Sequence, residues 1–292
     1  MKQRPLIIAL GLLTVARLVI NTGHRLVSPF LPVIARGLGV PLESAGVLVA
    51  ARSAAAMATP AIVTAGRRYD RRALVVVGLG IFLVGSGIAA IVGVYGGVLA
   101  GFVLMGLGKA VFDVSGQAYL SDRVPYESRA RWLAAFETTW AGGFLVGAPL
   151  VGWIISLSGW ETAYGVIAVI VGIVLVGAVV MLDEDHVDMA ERGRLTLDRS
   201  AIGLLVVAML FSAGGEFTTV VLGAWLEDSF AIALAGIAGL ASLIGVAELT
   251  GAFSTGLFTD RLGKKRAVSI GLVINAVGYA VMGLSGGSVV LG

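Results

Sequence analysis

The sequence predicts an all-α membrane protein with nine full spans and the start of a tenth, and three observations predict it. Hydrophobic residues fill 58% of the 292 positions and charged residues only 13%, against roughly 45–50% and about 25% in ordinary soluble domains. Mean hydropathy is +0.96. The apolar residues fall in runs of about 20, the length that carries a helix across roughly 30 Å of hydrocarbon. These values exclude a water-soluble enzyme, a disordered chain and a secreted disulfide scaffold. With no cysteine there is no thiol nucleophile and no Cys-bound metal. The two histidines, His24 and His186, are too few for a His-rich metal centre, so neither a metal nor a cofactor is expected.

The runs place spans at about 6–34, 44–65, 73–93, 97–119, 132–155, 162–182, 201–226, 231–255 and 267–284. Lys2 and Arg4 ahead of the first run look like a signal peptide, but no small-residue cleavage site follows and the run continues to Ile34, so it reads as a retained span. After Gly286 and Gly287 a further apolar stretch begins and is cut off, so the chain reads as C-terminally incomplete. Sixteen of the 21 lysines and arginines fall in loops on one side, and only Arg36 falls in a loop on the other. By the positive-inside rule this puts the N-terminus in the cytoplasm of a multi-pass cell-membrane protein. It also explains a pI near 9.4 without any nucleic-acid partner.

Two loops repeat. Gly66-Arg-Arg-Tyr-Asp70-Arg71-Arg72 follows the second span, and Gly256-Leu-Phe-Thr-Asp260-Arg261-Leu-Gly263-Lys264-Lys265-Arg266 follows the eighth, 190 residues later. At the same offset Ala45-Gly46 matches Ala235-Gly236. Self-similarity on this scale points to parallel halves. These are expected at 1–182 and 201–292, joined by a polar cytoplasmic linker over 183–200.

With these loops the chain resembles the major facilitator superfamily, whose signature G-x-x-x-D-R-x-G-R-[RK] lies between spans 2 and 3. The second copy matches closely, and the first lacks the later Gly. Asp122-Arg123-Val-Pro125-Tyr-Glu127-Ser-Arg129 and Gly159-Trp160 resemble the family too. The resemblance implies a major-facilitator-type bundle with a six-helix N-terminal half and an incomplete C-terminal half. It also implies that the loops holding Gly66, Asp70, Arg71, Gly256, Asp260, Arg261 and Gly263 brace the halves and bias their opening; the alternative is a basic turn that only enforces topology. The residues themselves allow Asp70 or Asp260 to sit at a helix N-terminus. They also allow the neighbouring arginines to bind carboxylates or lipid phosphates. Two departures stand out: Phe102 occupies the family's Arg position on span 4, and the antiporter pattern on span 5 is kept only in part. There Gly143, Gly147, Pro149 and Gly152 read either as helix packing with a bend or as an antiporter element.

Ionisable groups inside a membrane are costly and are functional candidates by default. The spans hold Arg17, Arg25, Arg52 and Lys109 against Asp113, Glu137, Glu216 and Glu248. Arg17, Asn21, His24 and Arg25 share one face of span 1 at i, i+4, i+7 and i+8. That stripe lines a cavity or pairs with a facing helix, and its arginines favour an anionic or hydrogen-bonding ligand. Lys109 and Asp113, at i and i+4 on span 4, form either an internal ion pair or a proton site. Glu216, near the middle of span 7, is the leading proton-coupling candidate because burial works against the ionised form; otherwise it pairs with an arginine of span 1. Glu137 and Glu248 rank lower. Trp140, three residues from Glu137, reads as an aromatic wall for an apolar substrate or as ordinary packing. Together these features predict a secondary transporter rather than an enzyme. Its expected action is proton-coupled efflux of a small organic solute by alternating access, as a monomer in contact with membrane lipid. The alternatives are a symporter or uniporter importing sugars or organic anions, and a non-transporting fragment or sensor.

Overall fold

The computed structural model describes residues 3–59, 61–62, 69–184 and 199–284. Every regular element among them is helical: α1 (Gln3–Arg25), α2 (Leu31–Leu38), α3 (Leu42–Ala56), α4 (Arg71–Ile91), α5 (Tyr95–Arg123) and α6 (Tyr126–Gly142). A π-helical turn (Gly143–Gly147) follows, then α7 (Ala148–Met181), α8 (Arg199–Phe230), α9 (Leu234–Leu262) and α10 (Lys264–Leu284).

Local chemistry sets the breaks. Pro32 occupies the first turn of α2, where its missing N–H costs nothing, and Gly39 closes that helix at φ 64°, a left-handed conformation suited to glycine. Asp70 caps α4 by accepting a hydrogen bond from the Arg72 backbone N–H at 3.2 Å. Gly159 (φ 87°) interrupts α7, and Gly263 (φ 80°) separates α9 from α10. The π-helical turn ends just before Pro149, which has no N–H and would crowd the carbonyl four residues back in an unbroken α-helix.

Six helices among the described residues are long and apolar enough to cross a membrane, or seven if the α2–α3 pair, bent by 114°, is one broken span. The structure thus supports neither nine full spans nor an incomplete C-terminal half. The reasons are physical. The expected first span stops at Arg25, and a turn of five residues, 26–30, which contains Pro29, leads into α2. The expected fifth and sixth spans form one apolar stretch, Trp132–Met181, of 50 residues. At 1.5 Å per residue that is ~75 Å, more than twice the hydrocarbon thickness, and Gly159 breaks it. The 21-residue α10 is not among the six. The expected tenth start, Gly66 and most of the linker lie outside the described residues.

Helix α1 runs through the middle of the bundle against α5, α6, the π-helical turn and α7. Leu13, Ile20, Phe30, Phe82, Phe102, Phe112 and Tyr164 are fully buried around it. Val169, Ile173 and Val176 of α7 and Val273 and Ile274 of α10 face outward, as lipid contact requires. The tightest crossing is α4 on α5. A Cβ on Gly78 would meet the Phe112 backbone, one on Gly108 the Phe82 backbone, and Gly85 and Gly101 face each other's carbonyls. Dispersion between closely approached backbones drives helix association where lipid removes the hydrophobic term. Gly108→Val is expected to destabilise the protein by ~1–3 kcal/mol or more, read as a lower unfolding midpoint in detergent, whereas Gly80→Ala, with open space around its Cβ, leaves that midpoint unchanged.

Candidate functional site

The intramembrane charges form three clusters. In the first, α1, α5 and α6 meet. Arg17 donates to Asp113 Oδ1 (3.3 Å) and to the Phe136 carbonyl (2.9 Å), and pairs with Glu137 at 2.8 Å. Lys109 Nζ donates to Asp113 Oδ2 (2.6 Å) and Asn21 Oδ1 (2.8 Å), while the Asn21 amide donates to Thr139 Oγ1 (3.1 Å). Gln117 donates to Glu137 Oε1 at 2.7 Å. Two cations and two carboxylates balance.

The second cluster joins α1 to α9. Arg25 makes a two-pronged pair with Glu248, 2.6 Å on each prong, and donates to the Trp140 carbonyl at 2.8 Å. This planar fork is the strong form of an arginine–carboxylate pair. The guanidinium lies 3.6 Å from the Phe144 ring centre and 4.4 Å from that of Trp140. The third joins α3 to α8: Arg52 donates to Glu216 Oε1 at 2.8 Å and to the His24 carbonyl. Glu216 therefore pairs with Arg52, not with an arginine of α1. Arg25 takes Glu248, a residue ranked low from the sequence.

The second and third clusters flank a cavity of about 660 Å³ lined by His24, Arg25, Ser28, Arg52, Trp140, Phe144, Phe211, Ser212, Gly215, Glu216, Thr219, Glu248 and Asn275. It brings Arg25 and Glu216 into one chamber. A second, more open chamber of about 710 Å³ lies between α3 and α8, shares His24, Ser212 and Glu216 with the first, and is otherwise lined largely by apolar side chains, of which Met57, Met209 and Phe217 are exposed. Trp140 lines the first chamber, but its ring already faces Arg25 and, at 5.5 Å, Lys109. Asp113, Glu137, Arg17, Asn21 and Lys109 line neither chamber.

Helix packing against α1 and α9 involves Gly143, whose Cβ would meet the Asn21–Thr22 backbone, Gly147, against the Thr22 side chain, and Gly152, against Ala238 and Phe30. Pro149 is exposed. Of the candidate gating residues, Arg71 pairs with Asp122 (2.9 Å), and its neighbour Arg72 pairs with Glu184 (2.8 Å) and donates to the Val179 carbonyl (2.5 Å). These bonds all stay within α4–α7 and the residues just after α7. Asp260 and Arg261 sit in the last turn of α9, so Asp260 is at a helix C-terminus rather than an N-terminus; Gly256 is in the same helix, and Gly263 follows it. Thr139 and Phe144 are not candidates in the sequence, and Arg52 stands there only as one of the charges inside the spans, with no partner or role assigned. Arg52 carried a usable signal, because any arginine inside a span needs a partner. Among the described residues no cluster of three or more His, Asp or Glu side chains is arranged to hold a metal ion.

The two ends of the bundle differ. At the Arg36 end, Arg36 pairs with Glu227 at 2.5 Å, Gly223 of α8 lies on the Pro29 backbone, and Gly152 of α7 meets Ala238 of α9. At the Arg72 end, no ion pair among the described residues joins α1–α7 to α8–α10.

The sequence profile of the Major Facilitator Superfamily matches residues 13–288. The chain is 23% identical over 278 residues to the uncharacterised MFS-type transporter YbcL of Bacillus subtilis (strain 168), covering 94% of this chain and 71% of that one. It is 26% identical over 198 residues to the class C tetracycline resistance protein of Escherichia coli, covering 63% of this chain and 49% of that one. Among solved structures, a bacterial homologue of the human lysosomal transporter Spinster, inward-facing and occupied, superposes with TM-score 0.74 at 14% identity over 92% of this chain and 66% of that one. A D-xylose–proton symporter superposes with TM-score 0.66 at 14% identity over 97% of this chain and 76% of that one.

A double-mutant cycle tests whether the Arg25–Glu248 fork acts as a unit. Arg25→Met strands a half-buried carboxylate and is expected to cost about 3 kcal/mol. Arg25→Met/Glu248→Gln removes the stranded charge and is expected to recover most of that loss, read from unfolding midpoints in detergent.

Proposed function

The chain belongs to the Major Facilitator Superfamily of membrane transporters, which are not enzymes, and on that premise we propose that it exports a small organic solute in exchange for protons by alternating access. The single observation that carries this reading is the placing of two arginine–carboxylate pairs, Arg25–Glu248 and Arg52–Glu216, across the seam between α1–α7 and α8–α10 and beside a shared cavity. A proton on either carboxylate removes half of its pair and so loosens the seam; a deprotonated carboxylate re-forms it. Proton binding and opening are then linked, because a group that binds protons differently in two states shifts the equilibrium between them.

In this reading residues 1–182 and 201–292 move as two units. The Arg36 end is the outer face and is shut, while the Arg72 end opens to the cytoplasm. Arg71 and Arg72 hold the inner end of the first unit rigid, and the loop around Asp260 and Gly263 completes the gate. The first cluster, with its charges balanced among α1, α5 and α6, stiffens the wall of that unit. Export is favoured by the likeness to a tetracycline resistance protein, and import with protons is the outcome that the same experiment would expose.

Purified full chain in proteoliposomes with a preset proton gradient tests the proposal, with tetracycline, tetraphenylphosphonium and a panel of sugars and organic anions as probes. At least one solute is expected to dissipate the gradient, with flux opposite to the proton. Glu216→Gln is expected to lower the solute-linked proton flux at least tenfold. Flux parallel to the proton would make the protein an importer, and unchanged proton flux in Glu216→Gln would remove Glu216 from the coupling step.

A further inference from the structure

We propose that the two joined chambers select an amphipathic organic cation, whose charged head is held by Glu216 where the chambers meet and whose apolar body lies between α3 and α8. This names the substrate class for the transport reading above and rests on it. The arginines of α1 favour an anionic or hydrogen-bonding ligand or a carboxylate on a facing helix, and it is facing carboxylates that they meet: Asp113 and Glu137 for Arg17 and Glu248 for Arg25.

In every intramembrane ion pair the cation is the hidden partner. Side-chain exposure is 6% for Arg17, 6% for Arg25, 1% for Arg52 and 11% for Lys109, against 24% for Asp113, 29% for Glu248, 36% for Glu216 and 53% for Glu137. The cause is the long arginine stem, which carries each guanidinium inward to a backbone carbonyl: Phe136 for Arg17, away from the cavity, and Trp140 for Arg25 and His24 for Arg52, both in the cavity wall. The faces of two of these guanidiniums are taken up as well, Arg17 over Phe136 at 4.3 Å and Arg25 over Phe144 and Trp140. An anion entering the cavity would therefore meet carboxylate oxygens first: Arg25 is engaged by Glu248 and the Trp140 carbonyl, and the Arg52 Nε, which has no hydrogen-bond partner among the described residues, belongs to a side chain only 1% exposed.

The two cavity carboxylates are not equivalent. Glu248 uses both oxygens on Arg25, whereas Glu216 gives Oε1 to Arg52 and has Oε2 without a hydrogen bond among the described residues. Glu216 is also common to both chambers, as is His24, whose Nδ1 has no hydrogen-bond partner among the described residues. Around this polar junction the second chamber presents Val49, Ala50, Met57, Met209, Phe217 and Val220. Flexible thioethers and an aromatic ring suit an apolar body of variable shape. A volume of about 710 Å³ fits a drug-sized molecule. A cation seated on Glu216 competes with Arg52 for the same carboxylate, so its binding loosens the α3–α8 contact.

Tetraphenylphosphonium and tetraphenylborate, alike in shape and opposite in charge, test this by titration of the detergent-purified full chain with micelle partitioning subtracted. The phosphonium is expected to bind, with the borate at least tenfold weaker and unable to displace it. Glu216→Gln is expected to weaken phosphonium binding at least tenfold, and Glu216→Asp to restore most of it. Ala213→Trp, which fills the second chamber and leaves every charge in place, is expected to weaken it comparably. Tighter borate binding, no binding of either ion, or unchanged phosphonium binding in both Glu216→Gln and Ala213→Trp would overturn the proposal. Because the readout is binding at equilibrium, it can fail while proton-linked flux of another solute stands, and it can succeed where flux fails.

Discussion

An ionised side chain inside a hydrocarbon slab must find an opposite charge or stay out, and the interior of this protein is organised around that constraint. Four cations and four carboxylates lie within the helices, and each has a partner of opposite sign. The first cluster settles its account within α1, α5 and α6, so it stabilises one arrangement of neighbouring helices. The other two cannot do so locally. Arg25 and Arg52 find their carboxylates on α9 and α8, and each pair is satisfied only while the N-terminal and C-terminal helices stay together. A constraint on solvation thereby becomes a constraint on conformation.

Small residues supply the complementary half of the arrangement. Gly223 on the Pro29 backbone, Gly245 on the Leu145 and Ala141 backbone and Gly152 on Ala238 let α8 and α9 approach the N-terminal helices closely. The seam is held by three charged pairs, Arg25–Glu248, Arg52–Glu216 and Arg36–Glu227, and by a few glycine contacts, whereas glycines recur along the α4–α5 crossing at Gly78, Gly85, Gly101 and Gly108. In the proposed transport reading, that difference suits two units that move against each other.

Much of this was legible before any coordinates. The face of α1 carrying Arg17, Asn21, His24 and Arg25 follows from helical spacing alone, and so does the Lys109–Asp113 pair. The choice of partners was not legible, because it depends on where helices cross. Glu216 lies at a depth that suits an arginine of α1, yet α3 brings Arg52 closer, and Arg25 is taken by Glu248. Apolar length also concealed the breaks. Hydropathy runs smoothly through Pro29, Pro32 and Gly159, where backbone geometry turns the chain. The setting of the α1 arginines was not legible either: helical spacing puts them on one face, but only the crossing helices bring the Phe136 and Trp140 carbonyls and the Phe136, Phe144 and Trp140 rings against their guanidiniums.

The account stands on the claim that the two cavity-side pairs, Arg25–Glu248 and Arg52–Glu216, are needed beside Arg36–Glu227 to keep the Arg36 end shut. The cysteine-free chain allows clean spin labelling, with one label pair at the exposed positions Glu43 and Ser229 near the Arg36 end and another at Tyr69 and Lys265 near the opposite end. Distances from double electron–electron resonance in lipid nanodiscs, with and without Glu216→Gln/Glu248→Gln, measure the claim directly. The account predicts a short, narrow Glu43–Ser229 distribution that lengthens when both carboxylates are neutralised, while the Tyr69–Lys265 distances shorten. A Glu43–Ser229 distribution that does not change with the carboxylates would contradict it.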